Sequence, residues 1–225
     1  MSDRWAARCR LAIALAVPML LGPAGGAIAA ASRNATHGAG GRRSAASGET
    51  IVFFRHGEKP ANGLGQLDCQ GLNRALQLPA VLEKKFGKPY VIFAPDPADK
   101  VSDGGKDYYY VRPLATIEPT AIKFGMPVDT AFGYSQIAKL QSELLNSKYQ
   151  SDLIFVVWEH KKMIELVQDI VRQGGGDPSK LPAWPDSEFD MILVVHVTQN
   201  GATFKATWDK EAEGLNGQST QCPSK

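Results

Sequence analysis

The sequence predicts an α/β fold: three layers, with a mainly parallel sheet, helices on both faces and an antiparallel edge strand. Three observations predict it. Short, continuous apolar runs at residues 50–54, 90–94 and 152–158 suit strands that are covered on both faces. Helix-length amphipathic stretches alternate with these runs. Asn200-Gly201 lies between two β-rich runs, 191–198 and 203–209, as in a hairpin.

The chain opens with Arg4, Arg8 and Arg10, then an uncharged, mostly apolar run from Leu11 to Leu21 and the small-residue site Ala27-Ile28-Ala29. Residues 1–31 are therefore expected to be a signal peptide, and the protein to be exported, periplasmic or secreted. The competing reading is a retained membrane anchor over 11–31, which Pro18, Pro23 and the nearby glycines make a poor spanning helix. Residues 32–48 are small, polar and Gly-rich and read as a flexible linker. A single domain is expected over 49–225.

Within that domain, Asp68 can cap a helix from about 70 to 86, with Leu72, Leu76 and Ala80 as its stripe and a kink or break at Pro79. Residues 95–109 read as a polar loop around Gly104-Gly105. A helix over 113–124 starts at a proline and stops at Gly125, although Pro119 lies inside it. Residues 135–148 are amphipathic. The helix over 160–173 ends at Gly174-Gly175-Gly176.

The net charge of +2 conceals an asymmetry. From Glu49 onward there are 19 Lys and Arg against 22 Asp and Glu, so the domain is mildly acidic. A broad nucleic-acid surface is not expected, and neither is membrane binding once the signal is cut. A local pocket for one small anion is compatible with this balance. Of three cysteines, Cys9 leaves with the signal. Cys69 and Cys222 remain and are expected to form a disulfide in an oxidising compartment.

The strand ends are unusually polar. The first strand closes on Arg55-His56-Gly57-Glu58-Lys59-Pro60, the third on Glu159-His160, and the 113–124 helix opens behind Arg112. Ligands in such sheets bind beyond the carboxyl ends of the strands. Arginine forks and imidazoles converging there suit a tetrahedral oxyanion.

Arg55-His56-Gly57 resembles the signature of the histidine phosphatase superfamily, which includes phosphoglycerate mutase-like enzymes and histidine acid phosphatases. Residues 67–75 resemble that family's first helix opening, residues 112–116 its second-arginine helix, and His160 its second histidine. Lys161 stands where the mutase branch has glycine and the acid phosphatase branch aspartate. Lys59-Pro60 is similar to the acid phosphatases' Arg-x-Pro. The resemblance implies a phosphoglycerate mutase-like fold and hydrolysis of phosphomonoesters or phosphoprotein, with no cofactor and no metal.

On this resemblance His56 is the nucleophile that forms a phosphohistidine, and Arg55, Arg112 and His160 hold the phosphoryl oxygens. Lys59 adds a point charge for substrate. The general acid stays open among Glu58, Glu118, Glu143 and Glu159, or none. A catalytically silent phosphate-binding or interaction module and a phosphomutase are the alternatives. Tyr108, Tyr109, Tyr110, Trp158, Trp184 and Phe189 are candidates for a pocket mouth, and His196 reads as a satisfied core histidine.

Overall fold

The structure is a computed structural model that describes residues 48–224. The expected signal peptide and all of the expected linker except Gly48 lie outside the described residues. The elements run β1 (Glu49–Arg55), α1 (Cys69–Lys85), β2 (Val91–Phe93), β3 (Lys100–Asp103), β4 (Lys106–Tyr109), α2 (Arg112–Phe124), α3 (Ile137–Leu144), β5 (Leu153–Trp158), α4 (His160–Gln173), β6 (Met191–Asn200) and β7 (Thr203–Ala212).

The main sheet has the order β2-β5-β1-β6-β7. Strands β2, β5 and β1 are parallel, β6 runs against β1, and β7 pairs antiparallel with β6. The hairpin at Asn200-Gly201 forms as expected. The reversed strand is β6, however, so the edge strand β7 points the same way as β1. Loops before β6 and after β7 therefore lie at the carboxyl end of the parallel strands.

Strand alternation builds two cores, one on each face. Ile51, Phe53, Ile154, Val156 and Trp158 pack with Leu140, Met163, Val167 and Ile170 of α3 and α4. Val52, Phe54, Phe155 and Val157 pack with Leu78, Leu82, Ile117 and Ala121 of α1 and α2. These are the three layers that the sequence predicts.

Four local expectations are corrected. Helix α1 is unbroken through Pro79. The buried face of α1 is Gly71, Arg74, Ala75, Leu78 and Leu82, while Leu72 and Leu76 are exposed. The reason is a close approach: a Cβ on Gly71 would collide with the Glu58 backbone, so this face of the helix lies against the loop after β1. The expected loop at 95–109 contains the β3–β4 hairpin. His196 is half-exposed, with its ring 3.2 Å from the Thr50 hydroxyl.

Cys69 and Cys222 form a disulfide across 153 positions. It ties the C-terminal tail to the first residue of α1. Asn73 adds two bonds from its side-chain amide to the carbonyls of Ser219 and Gln221. The loop-entropy model gives roughly 5 kcal/mol as an upper guide. Alkylation of the mature protein without reductant is expected to add no mass; two alkyl groups on folded protein would contradict the bridge.

Glu49 starts β1 at the far end of the sheet. It is 1% exposed, and neither carboxylate oxygen has a partner among the described residues. Burial, then the charge of Asp152, push its carboxyl up to about 8. An unfolded glutamate titrates near roughly 4.3, so the folded state keeps a proton that the unfolded state releases. The stability this group allows is full below that value and is lost as pH rises toward 8. Glu49→Gln is expected to stabilise the protein by about 1–3 kcal/mol at pH 9 and hardly at pH 4. Equal denaturant midpoints for variant and wild type at pH 9 would overturn this.

Candidate active site

The parallel strands fix where the site forms. β1 ends in Arg55-His56, and β5 ends at Trp158, so that Glu159 and His160 start the next helix. Thr116 of α2 accepts the Gly57 N–H through its hydroxyl at 3.0 Å, and that hydroxyl donates back to the Arg112 carbonyl. This clip draws Arg112, the first residue of α2, toward the end of β1. The result is a cleft of about 480 Å³ lined by Arg55, His56, Lys59, Arg112 and His160. All five site residues expected from the sequence come together there.

His56 is 1% exposed. Its Nδ1 lies 2.7 Å from the Gly57 carbonyl oxygen, which can only accept, so Nδ1 carries the hydrogen and Nε2 keeps its lone pair. Burial, and after it the positive charge of Arg112, hold the ring well below the usual imidazole range. The ring is therefore neutral at pH 7, the form in which an imidazole nitrogen is a nucleophile. Tyr110 and Phe189 flank it, with ring centroids 6.1 and 6.2 Å away.

Both arginines are anchored at one nitrogen. Arg55 donates from one terminal nitrogen to the carbonyls of Asp186 and Glu188, at 2.8 and 2.9 Å, and stacks 3.8 Å over Phe189. Burial lowers its guanidinium to about 10, and it stays charged at pH 7. Arg112 pairs with Asp103 at 2.5 Å and sits over the Tyr110 ring. The Nε of each arginine is buried without a partner among the described residues. Both guanidinium groups line the one cleft, where a bound anion would meet two fixed positive charges.

The sequence left three members unseen. Asp103, on the unexpected hairpin, bridges Arg112 and Lys59, whose Nζ lies 2.5 Å away. Burial alone would raise its carboxyl; the bonds from Lys59 and Arg112 outweigh this and hold it below the usual range. Asp186 lies 2.8 Å from His160 Nε2 and 3.1 Å from Lys161 Nζ, and the bonds from Lys161 and then His160 hold its carboxyl low. It reaches the cleft because β6 is reversed, which places the preceding loop at this end. Tyr134 is the third.

Among the acid candidates only Glu159 lines the cleft. Its side chain accepts from the Lys162 N–H as the N-cap of α4, which ends the strand alternation that would have turned it away. Burial would raise its carboxyl, but His160 and the Lys161 and Lys162 N–H groups bring it down to about 2. Glu58 pairs with Arg74, Glu143 with Lys148 and Tyr149, and Glu118 is exposed on α2. Of the aromatic candidates, Tyr110 and Phe189 line the cleft, while Trp158 and Trp184 are core.

No protein-family model and no curated protein matches the chain. Solved structures do. A mycobacterial glucosyl-3-phosphoglycerate phosphatase, in complex with inorganic phosphate, is 13% identical at a TM-score of 0.51, covering 72% of this chain and 95% of that one. A phosphoglycerate mutase from Plasmodium falciparum is 12% identical at a TM-score of 0.47, covering 80% and 99%. A phosphoserine phosphatase from Entamoeba histolytica, in complex with phosphoserine, is 11% identical at a TM-score of 0.45, covering 74% and 98%. At this identity the first of these likenesses speaks for the fold alone, and with the order β2-β5-β1-β6-β7 it bears out the expected three-layer, phosphoglycerate mutase-like α/β fold.

Proposed function

We propose that the protein is an exported phosphatase that hydrolyses phosphomonoesters, small or on protein, through a phosphohistidine on His56 and without a metal. One observation carries the reading. Nδ1 of His56 is tied to the Gly57 carbonyl, so Nε2 is left unprotonated in a cleft lined by two arginines. A phosphoryl group seated there meets a neutral nucleophile and fixed positive charge, which is what transfer of an anionic group requires.

Arg55, Arg112, Lys59 and His160 supply the cations that hold the phosphoryl oxygens. The walls at Pro60, Ala61 and Val101 leave room for a leaving group larger than water. Solved structures of this fold include phosphatases for phosphorylated small molecules, which supports the substrate class. The test is turnover of 4-nitrophenyl phosphate with and without chelator, followed by rapid quenching with labelled substrate. An acid-labile, base-stable phosphoenzyme is expected. Phosphate binding with no turnover of any ester would instead favour a silent phosphate-binding module. The observation behind that alternative is the ionised state of Glu159, which leaves it no proton to give at neutral pH.

Export rests on the arginine-led apolar run and small-residue site of residues 1–31, and the Cys69–Cys222 bridge suits an oxidising compartment. Mature protein from the native host is expected to begin near Ala30 or Ser32. Cytoplasmic protein that still starts at Met1 would refute export.

A further inference from the structure

The cleft holds three carboxylates, and each is already engaged. Asp103 is held by Lys59 and Arg112, and Asp186 by Lys161 and His160. Glu159 accepts from the α4 backbone and lies against His160. All three are held below the usual carboxylate range. None keeps a proton for a departing alkoxide. Tyr110 and Tyr134 are held above the ordinary phenol range by burial and are poor donors. The ammonium groups of Lys59 and Lys161 are spent on Asp103 and Asp186.

His160 differs from all of these. Its Nδ1 lies 2.8 Å from Glu159 Oε1 and its Nε2 lies 2.8 Å from Asp186 Oδ1. An ionised carboxylate only accepts, so Nε2 carries its hydrogen toward Asp186; Nδ1 makes no hydrogen bond to Glu159, and that contact is an ion pair when the ring holds a second proton. The two sides are unequal. Glu159 is the fixed cap of α4 and its side chain is 13% exposed, whereas that of Asp186 is 73% exposed at the rim. A leaving oxygen can therefore take the place of Asp186 at Nε2, while Glu159 stays beside Nδ1 as a fixed negative charge.

We propose, resting on the phosphatase reading above, that His160 is the general acid: it protonates the leaving oxygen from Nε2, a task beyond holding phosphoryl oxygens. The lone pair of His56 Nε2 forms the N–P bond as the P–O bond to the leaving group breaks. That bond's electron pair stays on the leaving oxygen, which takes the Nε2 proton of His160 and departs as the alcohol. Water then attacks phosphorus and gives a proton back to His160 Nε2. The P–N bond breaks toward His56 Nε2, and inorganic phosphate leaves. Proton and charge balance over the cycle, and Asp186 re-pairs with the recharged ring.

A leaving-group series on the full mature chain tests this. For His160→Asn, kcat/KM is expected to fall at least about 100-fold further on an unactivated alkyl phosphate than on 2,4-dinitrophenyl phosphate, whose leaving group needs no proton. An equal fall on both substrates overturns the proposal and leaves His160 as an oxyanion holder. The wild type gives a second measurement that does not depend on the variant's folding. Its log kcat/KM is expected to change little with the leaving group's pKa, and a steep dependence overturns the acid role. No wild-type turnover on either ester overturns the phosphatase reading itself, and this proposal with it.

Discussion

Replacing His56 with alanine is expected to abolish turnover, a loss of roughly 10⁴-fold or more, because no other side chain offers a neutral nitrogen at this point. The geometry makes the expectation specific. The Gly57 carbonyl fixes which nitrogen carries hydrogen, and burial beside Arg112 keeps the ring neutral. The fold is expected to survive. His56 closes β1 but belongs to neither apolar core, and the strand's pairing with β5 and β6 is made by its backbone. Stability should fall by no more than about 2 kcal/mol, the cost of a small cavity and one lost hydrogen bond. Inorganic phosphate should still bind, since both arginines remain. Near-normal activity of the variant would remove His56 from the mechanism and return the acidic residues to consideration.

The second large effect is on stability. Arg74 is 0% exposed in the face of α1 that packs against the loop after β1. It donates to Glu58 at 2.7 and 2.9 Å and to Glu213 at 2.5 Å, and lies 3.4 Å from Asp190. One guanidinium thus answers three carboxylates. Burial would lower its pKa, but the bonds to Glu58 and Glu213 prevail and hold its proton firmly. Glu213 is pushed up to about 8, first by burial and then by Asp190 and Glu58 acting against Arg74.

Arg74→Leu strands these carboxylates without a cation and is expected to cost about 3–5 kcal/mol at pH 7. The loss should grow as pH rises, because the folded state must then carry more unpaired negative charge. Adding Glu213→Leu should recover part of it, since an apolar pair avoids the desolvation that an unpaired buried charge suffers. Urea unfolding of the three proteins at pH 6 and pH 9 checks both parts. A single-variant loss under about 1 kcal/mol at pH 7 would show that the cluster is not holding the fold.

Much of this was legible in the sequence, for physical reasons that differ by element. β1, β5 and β6 are buried on both faces, so their apolar runs are continuous and their polar ends conspicuous. That contrast exposes Arg55, His56 and His160. The hairpin at β6–β7 announces itself through Asn200-Gly201. The β3–β4 hairpin does not: Lys100, Ser102, Lys106 and Asp107 are polar because the ribbon lies on the surface, outside the main sheet. Asp103 was lost with it.

Asp186 was lost for another reason. Only the reversed direction of β6 brings its loop to the site, and strand direction has no local signature. The face of α1 was misjudged because leucines weigh more than arginine in any hydrophobic count. An arginine at the centre of that face becomes visible only once Glu58, Asp190 and Glu213 are seen around it. The interior glycine at 71 was the sequence's one hint that this side of the helix lies against backbone.

The ties behind the loop after β1 have a consequence for the order of events in biosynthesis. Gly57 and Glu58 are made early, yet what braces them comes from far downstream: Asp190 and Glu213 on Arg74, and Cys222 on Cys69. A chain emerging from its N-terminus can pair β1 with β5 once residue 158 is out, but it cannot close this brace until residue 222 has followed. The final closure is also an oxidation. Completion of the support under this loop is therefore tied to synthesis through residue 222 and to the redox state in which Cys69 and Cys222 meet, and a nascent or reduced polypeptide holds its His56 on an unfinished support.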